Sequence, residues 1–232
     1  MSTNHAVFNV IFRFVENYVS PVAGRISSQR HVMAIRDGFI SAMPFMIVGS
    51  FLLVFAYPPF SPDTTWGFAR AWLDLAKQFE GQILTPFDMT MGIMSVYICA
   101  AIAYNLGKHY VKSHQLDPFM CAMLSIMAFL LIAAPKTKGT MPVDSLGGTG
   151  IFTAILVAIY CVEMMRFLKA HNIGIRLPDQ VPPMIKNSFD LLIPVLVLVL
   201  TLYPLSLVIQ SQFDMLIPQA IMAIFKPLVS AA

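Results

Sequence analysis

Polar and apolar positions along this chain do not alternate with the period of a soluble fold. They separate into long oily runs and short polar joints. Five runs stand out, at 36–57, 89–107, 118–134, 150–170 and 190–209. Each approaches the ~20 residues a helix needs to cross a bilayer. Backbone groups in lipid must be satisfied within their own segment, so the runs predict helices and not open strands. Pro44, Pro194 and Pro204 lie inside runs and predict local bends.

Three further stretches are amphipathic. In 8–19, polar residues Asn9, Arg13, Glu16 and Asn17 recur at helical spacing beside a broad apolar face. In 62–80, Trp66, Ala69, Trp72, Leu73, Ala76 and Phe79 share one face, with Asp63, Arg70, Asp74 and Lys77 on the other. The last stretch, 211–232, carries Asp214, Pro218, Lys226 and Pro227 among apolar residues. Such helices lie along the membrane surface, where tryptophan is favoured. The expected fold class is an all-α integral membrane protein with five spans and interfacial helices. Its expected divisions are an amphipathic N-terminal segment 1–35, a five-span domain 36–210 and an interfacial tail 211–232.

Composition agrees. Of 232 residues, 57% are hydrophobic and 12% charged, and the mean hydropathy is +0.72. A soluble domain has about twice that share of charge. The net charge of +3 is too small and scattered to suggest nucleic-acid binding. Cys99, Cys121 and Cys161 each sit inside an apolar run with no paired spacing, so neither a disulfide nor a metal site is expected. No cofactor motif is present: Gly147-Gly148 lacks the strand before it and the Lys-Ser/Thr after it that a phosphate cradle needs.

The joints carry the charge unequally. Ten of the fifteen Lys and Arg residues fall on one side of the five expected spans, including Arg30, Arg36, Lys108, Lys112, Arg166, Lys169, Arg176 and Lys186. The positive-inside rule puts that side, with the N-terminus, in the cytoplasm.

Few residues are candidates for chemistry. Glu163 lies in the fourth run and is suspect as an intramembrane carboxylate. Arg166, three residues on, offers a simple structural pairing. His31, His109 and His114 read as surface residues in basic segments, and no nucleophile–base set or paired carboxylates can be assembled. The stretch IRLPDQVPPMIKNSFDLLIP holds two adjacent prolines, Pro182 and Pro183, between Arg176 and Lys186. Prolines stiffen the joint. Asn187 or Ser188 would then cap the fifth helix.

Two motifs together resemble a known family: QRHVMAIRDGFISAMPFMIVGS at 29–50 and LPDQVPPMIKNSFDLLIP at 177–194. Both are similar to the enzyme IIC permease of the bacterial phosphoenolpyruvate-dependent sugar phosphotransferase system, in its lactose/cellobiose/diacetylchitobiose branch. The resemblance implies a homodimeric permease of the bacterial inner membrane. It would carry a β-linked disaccharide, which enzyme IIB, supplied by enzyme IIA, phosphorylates at the inner mouth. It also implies a fold in two parts, a dimer-forming set of five spans followed by a sugar-binding set. The chain ends where the first part would end, so it is expected to be the N-terminal half. The family's sugar-site histidine and glutamate would lie in the second half. No sugar-binding or catalytic residue is carried over, and Glu163 and His171 are not substitutes. The expected docking surface for enzyme IIB comprises Arg30, Arg36, Arg176, Pro182, Pro183 and Lys186. The alternatives are a structural or regulatory membrane protein that dimerises with a full-length permease, an integral-membrane enzyme using Glu163 or the loop histidines His109 and His114, and a complete five-span transporter, against which the scarcity of polar groups within the runs argues.

Overall fold

The structure is a computed structural model and describes residues 20–135, 139–175, 182, 185 and 189–230. Eight α-helices follow one another among these residues: α1 (Ser20–Ser27), α2 (Arg30–Ala56), α3 (Gly67–Thr90), α4 (Met94–His114), α5 (Pro118–Ala133), α6 (Ile151–Ala170), α7 (Leu192–Phe213) and α8 (Ile217–Ser230). Each of the five expected runs is a helix, with ends displaced by at most seven residues. Four stretches are long and apolar enough to cross a membrane: α2, the α3–α4 run, Gly148–Ala170 and α7. The fifth run, α5, has 16 residues. At 1.5 Å per residue it spans about 24 Å, short of a ~30 Å hydrocarbon layer.

The surface helix expected at 62–80 differs in extent. It starts at Gly67, bends at Phe79 (φ −112°, ψ 16°) and continues through Pro86 to Thr90. The second span therefore begins at Met94 and not at 89. Gly92 N–H donates to Phe87 O at 3.0 Å, and Ile93 leaves the helical region (φ −117°, ψ 26°). These two events separate helices that the apolar sequence 89–107 joins. Phe55, Phe60, Trp66, Phe68 and Trp72 form one cluster with centroids 5.5–5.9 Å apart. Trp72 Nε1–H donates to Phe55 O at 3.2 Å, tying α3 to the end of α2.

Helix α4 is the centre of the bundle and packs on α2, α5 and α6. Its contact with α2 rests on small residues. Ala34, Gly38, Ala42, Gly49 and Ala56 are the buried positions of α2 and form a single stripe. Small side chains let two backbones approach closely, the usual adhesive between helices in lipid. At Gly38 a Cβ would lie 2.4 Å from Ile102 Cγ1 and 2.9 Å from Ile102 N, so only glycine fits. The large side chains of α2 and α7 point outward. Phe51 is 63% exposed and Leu200 64%. Water would oppose such a surface over so many residues, and lipid does not.

The core proper lies among α4, α5 and α6, with Ile98, Ile102, Leu106, Phe129, Ile132 and Val162 essentially inaccessible. All three cysteines are free and buried there. Asp117 caps α5, accepting from Phe119 N–H at 2.9 Å, with Pro118 in the first turn. The Gly-rich joint before α6 folds back on the start of α4. Ser95 N–H donates to Leu146 O at 2.9 Å, and the Ser95 hydroxyl donates to Gly147 O. Helix α8 returns against the bundle through Phe225, which stacks on Phe152 at 4.4 Å. The N-terminal amphipathic stretch 8–19 and the cap at Asn187 or Ser188 lie outside the described residues.

Candidate functional site at the basic end of the bundle

The starts of α2 and α7 and the ends of α4 and α6 meet at one end of the bundle. Glu163, in the last two turns of α6, organises it. His31 Nε2 lies 2.9 Å from Glu163 Oε1. The Tyr110 hydroxyl donates to the same oxygen. Arg166 Nε lies 2.7 Å from Oε2. That last contact is an ion pair whose angle does not make a hydrogen bond, since Nε finds no hydrogen-bond acceptor. Two guanidinium groups attend Tyr110, with Arg30 Cζ 5.3 Å and Arg166 Cζ 5.2 Å from its ring centroid. His114 meets the ring edge-on at 5.6 Å. One carboxylate thus ties the first turn of α2 and the last turns of α4 to α6.

Physical reasons dictate this grouping. A carboxylate at a helix end inside an apolar bundle must be compensated. A carboxylate accepts several hydrogen bonds at once. Here the compensation comes from three helices, with the Glu163 side chain 24% exposed. Among the described residues every partner of this carboxylate is a hydrogen-bond donor or a cation, so the arrangement is a fastener. The Arg166 pairing was readable from sequence. His31 and Tyr110 were not, because they lie 132 and 53 residues from Glu163. The one usable signal was the rule that an intramembrane carboxylate needs partners.

A second tie sits beside it. Lys169 Nζ donates to Asp190 Oδ2, joining the end of α6 to the approach to α7. A cavity of ≈ 150 Å³ opens next to this pair, lined by Leu168, Asn172, Ile173, Gly174 and Pro194.

The expected docking residues divide three ways. Arg30 belongs to the Glu163 group. Arg36 is exposed and pairs with its neighbour Asp37, Nε donating at 2.8 Å. Pro182 is exposed, and its carbonyl accepts from Ile185 N–H at 3.0 Å. Arg176, Pro183 and Lys186 lie outside the described residues. Among the described residues no group of His, Cys, Asp and Glu is arranged to hold a metal ion.

Comparison with known proteins decides the family. The family model described as phosphotransferase system, EIIC, matches residues 36–231. The chain belongs to the phosphotransferase system EIIC family. Among its EIIC relatives, the cellobiose-specific EIIC component of Geobacillus stearothermophilus is 36% identical over 78% of this chain and 42% of its own length. The lactose-specific EIICB component of Streptococcus mutans is 33% identical over 91% of this chain and 37% of its own. The crystal structure of ChbC, the IIC component of the N,N'-diacetylchitobiose-specific phosphotransferase system, superposes with a TM-score of 0.78. That match has 31% identity and covers 94% of this chain and 52% of ChbC. The chain thus spans about half or less of the length of the EIIC proteins it matches. Membership makes it a membrane-embedded protein of the lactose/cellobiose/chitobiose EIIC branch.

Proposed function

We propose that this chain serves in the membrane subunit of a sugar phosphotransferase system that carries a β-linked disaccharide and hands it to enzyme IIB for phosphorylation. The observation that carries the reading is the match of residues 36–231 to the EIIC family, with relatives named for cellobiose, lactose and diacetylchitobiose. In this reading the basic end faces the cytoplasm, where a permease meets IIB. The excess of Lys and Arg at that end supports the orientation. Arg30, Arg36, Arg176, Pro182, Pro183 and Lys186 form the docking face. The exposure of Arg36 and Pro182 is compatible with that role. The subunit acts as a homodimer. The chain's own part is to build the scaffold and the IIB-facing surface.

A chimera tests this. The chain is joined in frame to the C-terminal half of the Geobacillus relative, and membrane vesicles are supplied with phosphoenolpyruvate and the soluble components. Phosphorylation of labelled cellobiose is expected, dependent on IIB. A chimera that reaches the membrane at normal level, keeps its helical content and phosphorylates none would sink the reading.

A further inference from the structure

A groove runs between α2 and α4 on the outer surface of the bundle, with a volume of ≈ 390 Å³. Away from the basic end its lining is mostly apolar and includes Phe45, Tyr97, Ala101 and Ala122. Phe45 and Tyr97 stack at 4.3 Å with an interplanar angle of 11°, giving a flat wall. Ala100 and Ala101 leave the floor low, because nothing longer than a methyl group stands there. Toward the basic end the lining turns polar, with Ser41, Tyr104, Asn105 and Lys108.

Lys108 decides what such a groove would take. Its ammonium sits 4.4 Å from the Tyr104 ring centroid. Among the described residues no carboxylate lies within ion-pair range of it, whereas Arg36, Arg166 and Lys169 each have one. Lys112 follows one turn later, also exposed and, among the described residues, without a carboxylate in ion-pair range. Asn105 uses one amide hydrogen on Ala101 O at 2.9 Å. A cation at the mouth and an apolar channel behind it match a molecule with an anionic head and an oily tail. Basic pockets between membrane helices near the headgroup layer take anionic lipids for this reason. A second copy of the chain fits the charge less well, since it would bring the same cations.

We infer that the α2–α4 groove is a binding site for an anionic phospholipid, its phosphate at Lys108 and Asn105 and one acyl chain along Phe45, Tyr97 and Ala101. The inference concerns lipid and stands apart from sugar transport.

Native mass spectrometry of the whole chain, extracted in mild detergent, tests it. Phosphatidylglycerol or phosphatidylcholine is added back and the bound fraction read. Anionic phosphatidylglycerol should be retained over zwitterionic phosphatidylcholine by about fivefold, the equivalent of the ~1 kcal/mol a lysine contributes beside anionic lipid. Lys108→Gln should abolish that preference and Lys108→Arg should keep it. Ala101→Leu, which fills the channel, should lower retention of both lipids. Lys77→Gln, on α3, should change nothing. Equal retention by Lys108→Gln and the parent overturns the site. So does an Ala101→Leu variant that loses a dimer while holding its lipid, because the groove is then covered by a second copy. Circular dichroism of each variant separates lost binding from lost fold.

Discussion

His31 Nε2 and Glu163 Oε1 lie 2.9 Å apart, although 132 residues of chain separate them. With Tyr110 and Arg166 on the same carboxylate, the contact closes the basic end of the bundle. Glu163→Gln removes the charge but keeps the shape, leaving Arg166 without its anion and His31 and Tyr110 facing a weaker acceptor. Thermal unfolding in nanodiscs should show a loss of about 1–3 kcal/mol, the cost of an unsatisfied, partly buried polar group. His31→Gln, which keeps a donor, should lose less. An unchanged melting curve for Glu163→Gln would mean that the carboxylate fastens nothing.

Gly38 and Ile102 set the distance between α2 and α4. Gly38→Ala places a methyl group 2.4 Å from Ile102 Cγ1, so the helices must part. Overpacking of this kind costs about 1–3 kcal/mol. In a double-mutant cycle with Ile102→Ala, which removes Cγ1, only part of that cost should disappear, because the Ile102 backbone nitrogen remains 2.9 Å from the new atom. Complete loss of the Gly38→Ala cost in the Ile102→Ala background, read by the same melting curves, would place the tightness in side chains alone.

Lys169 and Asp190 are about one-third exposed, at 33% and 27%. Water and salt screen such a pair. A double-mutant cycle with Lys169→Met and Asp190→Asn should give a coupling of about 0.2–1 kcal/mol, diminishing as salt is raised. A coupling that salt leaves untouched would mark the pair as shielded.

Tyr57, at the C-terminal end of α2, donates to Glu80 Oε1 at 2.9 Å. That hydrogen bond, and then the carboxylate's charge, raise the phenol above its ordinary 10.0. The neutral phenol is the donor, so the contribution to stability is present below the ordinary value and fades as pH rises through the raised one. Ultraviolet titration, taken as a difference from Tyr57→Phe, should show a late-titrating tyrosine. In Glu80→Gln it should titrate earlier. No change in that variant would refute the pairing.

Docking of enzyme IIB gives a further prediction. Reversing charge at Arg176 and Lys186 together should weaken binding of purified IIB to nanodisc-embedded protein by roughly tenfold at low salt, as for two charges at the rim of an electrostatically steered surface. Arg36→Glu should weaken it less, since Arg36 already holds Asp37. Undiminished binding in the double reversal would remove this loop from the docking face.

Hydropathy was enough to place the helices because a bilayer leaves a polypeptide so few choices. The five oily runs became α2, α4, α5, α6 and α7. The boundary between α3 and α4 was not legible. Residues 81–93 hold one charge, Asp88, and no run of polar positions that would mark a joint, and what ends α3 is backbone geometry at Gly92 and Ile93. The Glu163 group was half legible. Arg166 lies one turn away, but nothing local distinguishes His31 from any histidine in a basic segment or Tyr110 from any core tyrosine. The small residues of α2 were visible, yet their meaning depends on which helix they meet.

The span between His31 and Glu163 is also an interval of time. A ribosome adding about 5–20 residues per second needs on the order of ten seconds to make the 132 residues between them. The Ala34–Gly38–Ala42 stripe waits only until α4 is made, whereas the histidine above it waits out the whole interval. α4 must arrive first, to fill the stripe, and α6 last, to bring the carboxylate. The order of contacts in the finished bundle is therefore also an order of assembly, with the first helix waiting in lipid for its last partner.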